Sequence, residues 1–204
     1  MLQFIPNGED VHILDIGCGN GKMLAYLQER TGAYVHGFDY SEQAIKTAQT
    51  LLQENAEFRE GVIGEISYPE ESFDVIISMD TMYFAKDMTA FVEQIKKWLK
   101  PDGVFFVGYQ EGDVMPKTAN VKTAVLSKAL EENNMEYMVE DITEQTYYLL
   151  KRKRESALAY QVDFETEGHE NWFDMLMGQT ECATVPFEQF REKMSRYLYV
   201  SKKK

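Results

Sequence analysis

Apolar residues in the first half of the chain fall into short runs separated by helical patterns. Residues 11–15 read as a buried strand that ends in a glycine-rich turn. A helix is expected over 22–30, with Met23, Leu24 and Leu27 as its apolar face and Gly32 ending it. Residues 34–38 form the next strand. Ser41 is placed to N-cap a helix that runs to about residue 54, with Ala44, Ile45, Ala48, Leu51 and Leu52 on one side. Residues 57–62 make a short third strand. Residues 73–78 (FDVIIS) are almost continuously apolar, as in a strand buried on both faces. A helix over 89–99 is stopped by the turn Lys100-Pro101-Asp102-Gly103, and a fifth strand occupies 104–108. Strands alternating with helices imply βαβ units and a parallel sheet.

The second half has a different texture. A helix over 118–132 and a strand over 137–142 precede a long polar, aromatic-rich helical stretch from about 144 to 193, broken near Gly168 and around Pro186. Residues 196–200 (RYLYV) read as a last strand. The expectation is one domain over 1–204, in which 143–193 is a helical insertion before the last strand, placed to act as a lid and to meet substrate. Its aromatics Tyr147, Tyr148, Tyr160, Phe164, Trp172 and Phe173 read as its own core. The run Lys151 to Arg154 points in several directions around a helix and reads as solvated surface.

Charge narrows the partners. Lys and Arg total 21 against 34 Asp and Glu, a formal net charge of −13. That balance disfavours nucleic acid and an anionic membrane surface, both of which are held through clustered Lys and Arg. The two cysteines, Cys18 and Cys182, stand far apart, and no Cys/His cluster suggests a metal site. With no basic-then-apolar leader and no stretch of membrane-spanning length, the expected compartment is the cytoplasm. His12 and His36 read as structural, and His169, in a polar loop, as solvent-exposed.

The candidate chemistry sits in Leu14-Asp15-Ile16-Gly17-Cys18-Gly19-Asn20-Gly21, between the first strand and the first helix. Glycines there allow positive φ and direct contact between ligand and backbone, at the strand end where open α/β sheets bind ligands. The spacing is Gly-x-Gly-x-Gly, and Lys22 stands where a dinucleotide fingerprint needs Gly or Ala. Asp15 would sit badly beside a pyrophosphate and well beside an ammonium. Asp39, ending the second strand, can accept both hydroxyls of a ribose. Together these point to a nucleoside bearing positive charge.

LDIGCGNG, GFDYS, SFDVIIS and LKPDG, in this order and spacing, resemble the class I S-adenosylmethionine-dependent methyltransferases. The resemblance implies an α/β, Rossmann-like, seven-stranded, mostly parallel sheet with helices on both faces and an antiparallel last strand. It implies S-adenosyl-L-methionine as cofactor, surrounded by Asp15, Gly17, Cys18, Gly19 and Gly21, with Asp39 on the ribose hydroxyls and Tyr40 against the adenine. The family's adenine-binding acid falls at Val62 here, so recognition there rests on backbone groups next to Ile63 or on Glu65. Cys18 is otherwise a small residue fitting a tight turn, with no partner that would make it a nucleophile.

Methyl transfer is an in-line displacement that depends chiefly on alignment. The acceptor is expected at the end of the fourth strand. Met79 and Asp80 border the methionine end of the cofactor, and Tyr83 and Phe84 border the acceptor. Tyr109 and Glu111, beyond the fifth strand, face the same crevice. Asp80 and Tyr83 are the catalytic candidates, to be weighed against Asp80 capping the next helix and Tyr83 and Phe84 serving as wall and core. The expected acceptor is a small molecule, an amine ahead of a hydroxyl or thiol, and the chain is expected as a monomer or homodimer. A non-catalytic S-adenosylmethionine-binding subunit, a nicotinamide oxidoreductase and an RNA or protein methylase are the competing readings.

Overall fold

The computed structural model describes residues 1–112 and 115–203. Among them seven strands form one sheet: β1 (His12–Ile16), β2 (Tyr34–Asp39), β3 (Ala56–Glu60), β4 (Phe73–Met79), β5 (Leu99–Glu111), β6 (Glu136–Asp141) and β7 (Ser195–Lys202). Their order is β3-β2-β1-β4-β5-β7-β6. Pairing is parallel from β3 through β5, with Leu14 beside both His36 and Ile76. The last strand is reversed. Lys203 N–H donates to Gly103 O at 3.0 Å and Ser201 Oγ to Glu136 O at 2.9 Å, so the end of β7 meets the beginnings of β5 and β6.

Contact clustering divides the chain into two compact units. The first comprises residues 1–109, 118–140 and 198–204, and the second comprises 110–117 and 141–197. In the first unit, α1 (Lys22–Thr31) and α2 (Glu42–Leu51) bury Leu24, Leu27, Ile45 and Ala48 against Ile13, Val35, Val75, Ile77 and Phe106. Strand alternation turns Phe38 to the opposite face, and an irregularity between Phe73 and Val75 in β4 brings Phe73 to the same side. There Tyr68 bridges them to Trp98 of α3 (Met88–Trp98), with ring centroids 5.0 Å from Phe73 and 5.3 Å from Trp98. Ser41 does cap α2, its Oγ accepting from Ala44 N–H, and Asp87 caps α3 in the same way. Met23 and Leu51, expected on apolar faces, are exposed instead.

Three further expectations need correction. The helix placed over 118–132 begins only at Val125 (α4, Val125–Glu132), because Asn120 caps a separate 3-10 turn over 121–123 and Ala124 is extended. The fifth strand is longer than 104–108. Asp102 makes the expected turn at φ +61°, but extended backbone continues through Tyr109 to Glu111. The helical stretch carries one more break than expected, at Tyr160.

The second unit holds α5 (Thr143–Ala159), α6 (Gln161–Thr166), α7 (Glu170–Thr180), a 3-10 turn over 181–184 and α8 (Phe187–Lys193). Its small core is Tyr147, Ala183, Phe190 and Met194, with Tyr147 Oη donating to Val185 O. Of the six aromatics expected inside, only Tyr147 is buried. Tyr148, Tyr160 and Trp172 are more than half exposed. Arg154 is not merely solvated: it donates to Met177 O at 2.9 Å and faces Glu181 at 3.4 Å. No helix among the described residues is long and apolar enough to cross a membrane.

Candidate active site

The site is built where β1 and β2 end. Gly17, Gly19 and Gly21 all have positive φ (+74°, +53° and +76°), so the turn is a left-handed succession that side chains resist. The three glycines do different work. A Cβ on Gly17 would lie 2.4 Å from Thr81 Cγ2, and one on Gly21 2.9 Å from Ala48 Cβ, so both are needed for close packing. A Cβ on Gly19 would meet nothing within 4 Å. Gly19 therefore presents bare backbone to open space, as a surface that receives a ligand must.

Both flanking acids come to this turn. Asp39 Oδ2 accepts from Gly19 N–H at 2.9 Å, and its Oδ1 accepts from Ser41 N–H at 2.9 Å. One carboxylate thus ties the glycine turn to the start of α2. Asp15 is 4% exposed, and among the described residues no Lys, Arg or His forms an ion pair with it. Burial, and secondarily the charge of Asp39, push its carboxyl up to about 7. A carboxylate in that setting fits a cation. Tyr40, next to Asp39, is 78% exposed.

Cys18 is placed differently. Its amide donates to Phe38 O and its carbonyl accepts from Gly21 N–H, both at 3.0 Å. Its sulfur lies 2.7 Å from the Cβ position of Gly37, inside the core, and burial holds the thiol protonated. Its groups serve the turn itself. Ile63, with Gly64 and Glu65, lines a pocket of about 240 Å³ whose other wall is Lys86, Asp87 and Phe91.

At the end of β4, Met79 is half-buried against Gly108. Asp80 stands at φ +61°, an uncommon conformation for a residue with a side chain. Its amide donates to Gly108 O at 3.1 Å, and its Oδ1 accepts from Tyr83 Oη at 2.9 Å. Asp80 does not cap the following helix, since Asp87 does. Phe84 is 66% exposed and so is not core. Tyr109 is fully buried, its ring 5.3 Å from that of Tyr83, and lies within β5 instead of beyond it. Glu111, buried at the end of the same strand, belongs to the second unit.

Two residues at this site escaped the sequence reading. Thr81 Oγ1 donates to Ile16 O at 2.7 Å, and Ser78 Oγ lies 2.6 Å from Thr81 Oγ1. Nothing in the string SMDTMYF distinguishes them, because the contact is made across 65 residues. No group of three or more His, Cys, Asp or Glu capable of holding a metal occurs among the described residues.

Comparison with known proteins fits this geometry. A family described as a methyltransferase domain matches residues 7–176. A ubiquinone biosynthesis O-methyltransferase of Parvibaculum lavamentivorans is 35% identical over 102 residues, covering 48% of this chain and 40% of that protein. Phosphoethanolamine N-methyltransferase 3 of Arabidopsis thaliana is 28% identical over 185 residues, covering 81% of this chain and 37% of that protein. The chain thus spans less than half the length of these curated relatives. The solved phosphoethanolamine N-methyltransferase 2 of Haemonchus contortus, in complex with S-adenosyl-L-methionine, superposes with a TM-score of 0.82 at 18% identity, over 99% of this chain and 50% of that one.

Proposed function

We propose, since the chain belongs to the class I S-adenosylmethionine-dependent methyltransferase family, that it transfers the methyl group of S-adenosylmethionine to a small-molecule acceptor, an amine before a hydroxyl or thiol. The observation that carries this reading is the pair of acids flanking an open glycine turn: Asp15, buried and without a cation among the described residues, and Asp39, aimed across Gly19. A nicotinamide dinucleotide would bring a pyrophosphate to a buried carboxylate, which is repulsive. A sulfonium nucleoside with an amino-acid tail brings positive charge, which is attractive.

When bound, S-adenosylmethionine supplies an electrophilic methyl carbon on a positive sulfur. The chain's own residues then have three tasks. Gly17, Gly19 and Gly21 offer main chain for close contact. Asp39 receives the ribose hydroxyls and Asp15 the ammonium end. Ile63, in the pocket with Glu65, takes the adenine edge, and Tyr40 its face. Met79 closes the methionine end.

Asp80, its carboxylate held by Tyr83 Oη, faces the acceptor. An ammonium acceptor must lose a proton before its lone pair can attack, and Asp80 is placed to attract the cation and take that proton. The tilt toward an amine has a second support: the similarity to the N-methyltransferase extends over 81% of the chain, well beyond the cofactor half.

The test has two stages. Calorimetry should detect S-adenosylhomocysteine binding and none with NAD; tight NAD binding alone overturns the reading. Turnover of methyl-labelled cofactor with phosphoethanolamine, simple primary amines, catechol and small thiols should then favour an amine. Preferential labelling of catechol would move Asp80 from amine binding to hydroxyl deprotonation.

A further inference from the structure

Three hydrogen-bonding atoms near the end of β4 form a chain with a determined direction. Ile16 O can only accept, so Thr81 must spend its single hydroxyl proton there, at 2.7 Å. The contact of 2.6 Å between Ser78 Oγ and Thr81 Oγ1 is therefore a bond donated by Ser78. Ser78 is fully buried and sits on β4; Ile16 is the last residue of β1, immediately before Gly17. The same threonine also fills the space left by the missing side chain of Gly17, its Cγ2 lying where a Cβ would collide. Hydroxyl and methyl thus both engage the Ile16–Gly17 peptide at the start of the glycine turn.

The turn that Thr81 belongs to is also the one that presents the acceptor residues. Asp80 precedes it and is pinned to β5 through Gly108 O, and Tyr83 closes back on Asp80 at 2.9 Å. Two independently functioning loops would need no such tie. Here the peptide that must settle against a nucleoside shares a short hydrogen bond and a van der Waals contact with the residue between Met79-Asp80 and Tyr83.

The geometry points to Thr81 as a positioning residue that couples the two halves of the reaction: occupation of the glycine turn fixes, through the Ser78–Thr81–Ile16 chain, the Asp80–Tyr83 turn. This rests on the proposed cofactor and acceptor assignment. Its consequence is ordered assembly, in which the acceptor turn reaches its working conformation only after the nucleoside is in place. Coupling between sites demands an element whose state both ligands bias, and Thr81 both packs against Gly17 and belongs to the acceptor turn.

The test needs no acceptor. Hydrogen–deuterium exchange of the full chain is followed with and without saturating S-adenosylhomocysteine, in the wild type, Thr81→Val and Thr81→Ser. Valine keeps the shape and the methyl but removes the donor, while serine keeps the donor. In the wild type the nucleoside should slow exchange by at least about fivefold in peptides covering both 15–21 and 79–84. In Thr81→Val the slowing should persist at 15–21 and vanish at 79–84, and Thr81→Ser should restore it.

A purely structural threonine would lower the melting temperature and leave the transmitted slowing intact. Ser78→Ala, which removes the upstream donor, provides the second variant should valine fail to fold, and should halve the effect or more. Slowing at 79–84 that is the same in wild type and Thr81→Val, or absent from the wild type although the nucleoside binds, overturns the coupling alone. Absence of nucleoside binding overturns the cofactor assignment with it.

Discussion

β1 and β2 lie side by side and carry ionisable groups at both ends, with opposite outcomes. At their amino ends His12, Tyr34 and His36 stack, with ring centroids 4.9–5.4 Å apart. His12 Nδ1 lies 3.0 Å from His36 Nε2, and His36 Nδ1 faces Glu57 at 3.4 Å. The first amide of β1 donates to Asp74, which also holds Lys100 at 2.7 Å. Three residues along the same strand, Asp15 is buried with no cation paired to it among the described residues, and its carboxyl is pushed up to about 7. Burial dominates at both ends, lowering His36 to about 4 and raising Asp15. The amino end meets burial with ring stacking and with the Asp74 contacts, although His36 Nδ1 has no hydrogen-bond partner among the described residues, whereas Asp15 has no ion pair among them. A buried carboxyl with no cation among the described residues is a candidate ligand site.

If that contrast is real, damage at the carboxyl end should abolish binding and spare the other end. Gly17→Ala is the most severe case. The new Cβ would have to share 2.4 Å with Thr81 Cγ2 at φ +74°. We expect S-adenosylhomocysteine affinity to fall by more than about 100-fold, from strain alone of about 1–3 kcal/mol with the clash added. Calorimetry measures this, and circular dichroism should show the fold retained. Asp39→Ala comes next. It removes the acceptor from Gly19 and Ser41 and, on the proposed assignment, from the ribose hydroxyls, at about 1.5–3 kcal/mol per charged hydrogen bond. A loss of at least about tenfold is expected, and unchanged affinity would show the ribose contact to be misassigned.

The pH dependence of binding sharpens the comparison further. On the proposed assignment the ligand's cation is bound by ionised Asp15, so below pH 7 binding must expel a proton. Affinity for S-adenosylhomocysteine should therefore rise with pH, by up to about tenfold between pH 6 and pH 8. Asp15→Asn should weaken binding and flatten the profile. The sign for stability is opposite. A carboxyl raised in the folded state costs stability above pH 7, and that cost is relieved as pH falls toward 3.8. In the free protein, Asp15→Asn should stabilise at pH 8 more than at pH 5, by thermal melting. An affinity profile that is flat in the wild type would remove Asp15 from the cation site.

The order of strands and helices was legible because period and punctuation agree: FDVIIS, the KPDG turn and the Ser41 cap each mean locally what they mean in the fold. The errors fall where tertiary context overrides a local signal. Tyr160 breaks the helical stretch without a Gly or Pro to announce it. Polar residues after Gly108 look like the end of a strand that in fact continues to Glu111. Tyr160 and Trp172 look like core and lie exposed. In the turn, the glycines and Asp39 could be placed from the sequence, because positive φ and an acid closing a strand have residue signatures. Thr81 and Ser78 have none, since their meaning is a contact with a strand 65 positions away.

The smallest effect belongs to the amino end, and it decides whether that end is only structural. His36 Nε2 lies 3.0 Å from His12 Nδ1, and the His36 ring packs between Tyr34 and Phe73. Burial and the His12 charge lower its pKa to about 4 despite Glu57. The folded state therefore binds fewer protons than the unfolded chain, whose imidazoles titrate near 6.5. Stability from this group is present above about pH 6.5 and is lost as pH falls toward 4. Because the rim of the ladder is partly open to water, about 1 kcal/mol is a realistic size for the loss. His36→Phe keeps a ring between Tyr34 and Phe73 and should flatten this acid limb in denaturant titrations at pH 7, 6, 5 and 4. S-adenosylhomocysteine affinity at pH 7.5 should stay within about twofold of wild type, since a change of a few tenths of a kcal/mol is all that distant, unshared sites exchange. A large loss of nucleoside affinity in His36→Phe would mean that the two ends of β1 and β2 are energetically one site, and the division drawn between them would have to go.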